Sequence, residues 1–202
     1  MSSSTVTLRP AEHADTRAVV QTHLASFDGF FLSTLGPRFL RLFYEGMIDV
    51  ESGVLIVAVD GNRIVGFVGG ATEQIGFYGS LLKTRAIRFA FAAAVAGLRT
   101  PTAIPRLIRA RQRSSGHADT PLGSCLMTLG VLPGQEGRGI GQSLVNEFES
   151  EISRIGERSY CLTTDADKND RTNRFYESLG FVRTRVITTP EGRQLNEYRR
   201  SW

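Results

Sequence analysis

The spacing of apolar residues along the chain switches between the two-residue period of a strand and the three-to-four-residue period of a helix. Val6 to Arg9 reads as a short strand. Ala11 to Ser26 reads as a helix, with Val19, Val20 and His23 or Leu24 at helical spacing. Gly36-Pro37 punctuates the next segment, and Arg38 to Asp49 is a second helix with Phe39, Leu40, Phe43 and Met47 as its apolar residues. Val54 to Val59 is β-rich, Asp60-Gly61-Asn62 is a turn signal, and Ile64 to Ala71 returns, which together predict a β-hairpin. Cys125 to Val131 is another strand. A glycine-rich loop follows, then a helix from about Gly141 to Ile155, whose Leu144, Val145, Phe148, Ile152 and Ile155 form one stripe. Ser159 to Thr164 reads as a strand. Arg171 to Leu179 reads as a helix, closed by Gly180 as a left-handed cap. Phe181 to Ile187 and Gln194 to Arg199 are two last strands, with Pro190-Glu191-Gly192 as their turn.

The strand–loop–helix–strand unit after Cys125 requires a right-handed parallel crossover, and the other strands read as antiparallel. The expected fold is α/β (α+β): one domain over residues 1–202, with a mixed, mostly antiparallel sheet, a central parallel strand pair and helices on both faces. Ser80 to Arg113 interrupts this order. It is helical in composition but broken near Thr100-Pro101 and Pro105. Gln74 to Gly116 carries eight basic residues and no acidic one, and reads as an inserted helical segment.

Composition narrows the picture. With 202 residues, 41% hydrophobic and 22% charged, the chain can bury a sizeable core and lies away from disorder. No apolar run of about 20 residues predicts a membrane span, and Met1 to Thr7 lacks an apolar secretion core, so a cytoplasmic protein is expected. Cys125 and Cys161 read as reduced, buried thiols, and the scattered His13, His23 and His117 lack ligand spacing, so no metal is expected. The formal charge of +4 suits an anionic ligand. Basic and aromatic residues are not interleaved as on an RNA-binding sheet, so no nucleic-acid partner is expected. The basic insertion would allow a weak contact with an anionic surface. The oligomeric state is open, a homodimer included.

The most informative stretch is Val131-Leu132-Pro133-Gly134-Gln135-Glu136-Gly137-Arg138-Gly139-Ile140-Gly141-Gln142-Ser143. A strand ends and glycines open a helix, whose free N–H groups and dipole form an anion site, most naturally for a phosphate. The P-loop's Lys-Ser/Thr pair is missing after Gly141, and the dinucleotide fingerprint fails because position 142 is Gln. A glycine-rich turn without a ligand stays open on this loop alone. Asn169-Asp170-Arg171-Thr172-Asn173-Arg174-Phe175-Tyr176-Glu177-Ser178-Leu179-Gly180-Phe181 then begins about one strand and one loop later.

With this second block the chain resembles the GNAT N-acetyltransferase superfamily. The family's cofactor motif, Gln/Arg-x-x-Gly-x-Gly/Ala after Val-x-Pro, is met by Val131, Pro133, Gly139 and Gly141. Its next motif is met by Asn169, Tyr176 and Gly180-Phe181. One position departs: Glu136 stands where the family has Gln or Arg, and is expected to face solvent or pair with Arg138.

The resemblance implies acetyl-CoA as acetyl donor, no metal, and transfer to a primary amine by direct attack in a ternary complex. It implies that main-chain groups around Leu129, Gly130 and Val131 bond the pantetheine arm. The N–H groups of Glu136, Gly137, Arg138, Gly139, Ile140, Gly141 and Gln142 would hold the pyrophosphate, and Asn169 would contact the pantetheine. Tyr176 would lie near the sulfur and protonate the departing thiolate. A proton acceptor for the amine is also required, with Glu73 first and Asp165 second. Asp28, Phe30 and Phe31 occupy the connection where the family binds its acceptor. His23 through Phe27 to Leu35-Gly36 is similar to transferases that accompany sugar and surface-polysaccharide pathways, which implies an amino-sugar acceptor; another small amine or a protein N-terminus stays open. The alternatives are a non-catalytic acetyl-CoA sensor or a protein N-acetyltransferase.

Overall fold

The computed structural model describes residues 5–27, 29–74, 76–81, 123–189 and 192–202. Strand β1 (Thr7–Pro10) leads through a 3₁₀ turn (His13–Asp15) into helix α1 (Thr16–Ser26). A short helix α2 (Phe31–Thr34) precedes α3 (Gly36–Asp49), which has Pro37 in its first turn, where no intrahelical N–H bond is lost. The hairpin is β2 (Gly53–Asp60) and β3 (Arg63–Ala71). Residues 76–81 are helical. Then come β4 (Cys125–Val131), α4 (Ile140–Arg154), β5 (Ser159–Asp165), α5 (Asp170–Ser178), β6 (Val182–Thr188) and β7 (Gln194–Ser201). The proposed inserted segment lies almost wholly outside the described residues, Arg106, Arg109 and Arg113 included.

Among the described residues the strands form one seven-stranded sheet in the order β1-β2-β3-β4-β5-β7-β6. Among the described residues only the β4–β5 pair is parallel. The fold is therefore the mixed, mostly antiparallel α/β sheet that the hydrophobic pattern implied. Side-chain alternation divides the interior into two layers. Leu55, Val57 and Phe67 join Val19, Leu40, Tyr44 and Met47 of α1 and α3 on one face. Ile56, Val65 and Val68 join Leu144, Val145, Phe148 and Ile152 of α4 on the other. The α4 stripe stops one residue earlier than its spacing suggested. Ile155 is the C-cap and is exposed, because the helix ends before it can turn inward.

One irregularity in β4 organises the site. Against β3, Leu126 pairs with Gly70 and Thr128 pairs with Gly69, so Met127 is an extra residue, a β-bulge. Beyond it Leu132 N donates to Val65 O (2.8 Å). Antiparallel alternation then gives Thr128 and Gly130 the remaining ladder bonds to β3. Leu129 and Val131 turn their main-chain groups towards β5. That side is open: among the described residues β4 and β5 share one register pair, Cys125↔Cys161, and diverge beyond it. Both cysteines are free thiols, Cys125 buried and Cys161 half-buried.

Candidate active site

The divergence of β4 from β5 opens a cavity of about 910 Å³ that passes through the sheet. One end is walled by His23, Ser26, Phe27, Phe30 and Met127, the other by the glycine loop and the start of α5.

The glycine loop forms a cradle. Gly137 and Gly139 have φ of +77° and +74°, in the left-handed region that favours glycine, and a Cβ at either would meet nothing within 4 Å. The space against the backbone is therefore open to a ligand. Ser143 N donates to Gly139 O (3.0 Å), which starts the α4 ladder. The N–H groups of Ile140, Gly141 and Gln142 precede that bond and have no carbonyl within the helix. They open at the cavity, with the positive end of the helix dipole behind them. These groups fit a pyrophosphate. Glu136 is exposed and its Oε2 accepts the Gly134 N–H (2.7 Å). It faces solvent, one of the two placements expected from the sequence, and Arg138 bonds the Asp60 carboxylate at 2.7 Å, which ties the loop to the β2–β3 turn.

Helix α5 supplies the opposite wall. It ends in a Schellman motif: Gly180 N donates to Glu177 O (3.0 Å) and Phe181 N to Tyr176 O (3.1 Å), with Gly180 at φ +85°. The motif brings the Phe181 ring to 5.4 Å from that of Tyr176, and Tyr198 and Phe175 pack at 6.3 and 5.2 Å. Tyr176 is thus 6% exposed and lines the cavity, and burial raises its pKa well above the ordinary 10. Its hydroxyl stays protonated. Asn169, just before α5, donates through Nδ2 to Thr164 Oγ1 (2.6 Å) and also lines the cavity.

The two carboxylates suggested as bases are placed differently. Asp165 lines the cavity, but both its oxygens are held by Arg193, with Nη2 at 2.5 Å. The guanidinium thus occupies the oxygens that would have to accept a proton. Glu73 is exposed just past β3 and is not among the lining residues. Of the acceptor-side residues, Phe30 lines the cavity and packs at 5.6 Å from Phe27. Asp28 lies outside the described residues, and Phe31 opens α2. Leu129, Gly130, Val131, Gly137, Gly139, Ile140, Gly141 and Gln142 all line the cavity.

Four further lining residues were not legible as such. Phe175 sits in the same motif as Tyr176, and its pairing with Gly141 shows only in space: a Cβ at Gly141 would come within 3.3 Å of its ring. Arg193 comes from the turn before β7, with no local signal. His23 and Phe27 lie at spacings that in sequence read as core.

The comparisons with known proteins agree with this geometry. The acetyltransferase (GNAT) domain model matches residues 108–183. An N-acetyltransferase from Staphylococcus aureus Mu50 shares the fold at a TM-score of 0.63 and 14% identity, over 98% of this chain and 99% of that one. An aminoglycoside 6'-N-acetyltransferase complexed with coenzyme A has a TM-score of 0.62 and 14% identity, over 96% of each chain. The ribosomal-protein-S18-alanine N-acetyltransferase from Escherichia coli has a TM-score of 0.60 and 14% identity, over 98% of this chain and 94% of that one. No curated protein matches the chain in sequence. The site is a glycine cradle that leads into a cleft between parallel strands. The chain is similar to the GNAT N-acetyltransferases in that domain-model match and in its fold.

Proposed function

We propose that the protein is an acetyl-CoA-dependent N-acetyltransferase that acts on a primary amine of a small molecule. The observation that carries this reading is the continuity of the site. An anion cradle at the start of α4 leads through a cleft beside the main-chain groups of Leu129 and Val131 to an aromatic-walled end behind them.

The N–H groups from Glu136 to Gln142 hold the pyrophosphate of acetyl-CoA, and Leu129 and Val131 bond the pantetheine as an added strand would. Ser26 Oγ donates to Val131 O (2.9 Å) and tethers α1 to the same edge. When bound, acetyl-CoA supplies a thioester carbonyl to the attacking amine. The N–H of Val131 is positioned to donate to that carbonyl oxygen as negative charge develops on it. Tyr176, kept protonated by burial, donates its proton to the leaving sulfur. Asn169 contributes a polar contact to the pantetheine. Phe27 and Phe30 flank the acceptor end and favour an amine with an apolar or sugar-ring face over a highly charged one.

The test pairs calorimetry with acetyl-CoA and a turnover assay over a panel of small amines, amino sugars and peptide N-termini. Micromolar-range binding with turnover of a small amine is the expected result. Binding without turnover across the panel points to a sensor, and turnover confined to peptides to a protein N-acetyltransferase.

A further inference from the structure

His23 is a buried polar group that the reaction above leaves unused. It sits on α1 with 2% of its surface exposed and lines the acceptor end of the cavity. Its ring lies 4.7 Å from Phe27, 5.8 Å from Tyr44 and 6.2 Å from Phe67, so the aromatic neighbours fix its plane. Nδ1 is 2.6 Å from the Tyr44 hydroxyl. Nε2 has no hydrogen-bond partner among the described residues, although it is fully buried. An unpaired buried nitrogen costs about 1–3 kcal/mol, so its retention beside a cavity points to a ligand.

Nδ1 and the Tyr44 hydroxyl share one hydrogen bond, whose direction goes with the tautomer. Burial raises the Tyr44 pKa well above 10, so that hydroxyl keeps its proton. With Nδ1 protonated, the Tyr44 oxygen accepts from Nδ1–H. In a neutral imidazole with Nδ1 protonated, Nε2 carries a free lone pair. Burial lowers the His23 pKa from 6.5 to about 4, which keeps the ring neutral at working pH.

We infer that His23 Nε2 is the proton acceptor for the attacking amine, with Tyr44 as the positioning residue that holds the Nδ1–H tautomer. This rests on the N-acetyltransferase reading. As the amine lone pair forms the C–N bond, its N–H electron pair stays on nitrogen and the proton passes to Nε2. The C–S electron pair leaves on sulfur, which takes the Tyr176 proton. The resulting imidazolium is held by Nδ1–H to Tyr44, and the Nε2 proton then leaves through the cavity. This assignment replaces Glu73, which is away from the cavity, and Asp165, which Arg193 occupies.

Three measurements test it. The nitrogen resonances of His23 in the wild type should show Nδ1 protonated and Nε2 bare at neutral pH; an Nε2–H tautomer or an imidazolium overturns the assignment. His23→Phe keeps the aromatic packing and should lower kcat roughly 100-fold with acetyl-CoA affinity unchanged. In His23→Ala, added imidazole should restore turnover with a pH dependence that follows the imidazole's own pKa, a response that a merely structural residue would not give. If His23→Phe folds and turns over at the wild-type rate, the His23 role falls while the N-acetyltransferase reading stands. If the wild type acetylates no amine, both fall together. Tyr44→Phe should lower kcat about tenfold with little change in acceptor KM; a change in KM alone would remove Tyr44 from the positioning role.

Discussion

Tyr176→Phe removes one oxygen atom and nothing else. The ring is fixed by Phe175, Phe181 and Tyr198 and by the Schellman cap beneath it, so the Phe ring should keep the same place. Burial is the cause of the raised pKa of the hydroxyl. Deleting a buried hydroxyl relieves its desolvation. The unfolding free energy should therefore change by no more than about 1 kcal/mol, towards greater stability. A general acid contributes about 100-fold or more in rate, so kcat should fall by at least about 100-fold, close to 3 kcal/mol in activation free energy. Acetyl-CoA affinity should be unchanged, because the hydroxyl meets the sulfur only as charge develops there. The raised pKa also means that the wild type should keep this proton through mildly alkaline pH, with no loss of rate from Tyr176 in that range. The assay is single-turnover acetyl transfer followed by mass of the product, alongside calorimetry and urea unfolding. An unchanged single-turnover rate would refute the acid role. A fall in stability of 2 kcal/mol or more would show that the hydroxyl has a structural partner instead.

Other outcomes follow from the same geometry. Gly139→Asp and Gly141→Asp should each weaken acetyl-CoA binding by roughly 100-fold or more in calorimetry, since a carboxylate enters the anion cradle; the left-handed φ at Gly139 adds about 1 kcal/mol of strain. Wild-type affinity in both would remove the loop from the site. Gly70→Ala should destabilise the fold by about 2–4 kcal/mol, because the new Cβ would lie 2.3 Å from Cys125 O and 2.7 Å from the Phe148 ring; urea unfolding with a smaller loss would show that the β3–β4 ladder yields there. His23 has its folded pKa lowered from 6.5 to about 4, so the unfolded chain binds more protons between those values. Its stabilising effect is complete above about pH 6.5 and is lost as pH falls towards 4, about 3 kcal/mol in all at roughly 1.4 kcal/mol per pH unit. His23→Phe should flatten that acid slope in urea unfolding, and an unaltered slope would assign it to other groups.

The elements and their order were present in the chain because short-range physics sets them. The β-rich run Val54–Val59, the turn at Asp60-Gly61-Asn62, the stripe Leu144-Val145-Phe148-Ile152 and the cap at Gly180 each concern residues a few positions apart, and all appear in the structure. The phosphate cradle was legible for the same reason: glycines followed at once by a helix start define an anion site locally. Tertiary structure decided what depends on distance in space. The extra residue at Met127 shows only against its partner strand, yet it turns Leu129 and Val131 into the cleft. Arg193 comes from the far end of the chain to occupy Asp165, which in sequence was a free carboxylate. His23 lies at the same helical spacing as Val19 and Val20, and a histidine there reads as core until a cavity is found beside it. The sequence carries the local rules for each element, while the partner of each buried polar atom depends on which elements the sheet brings together.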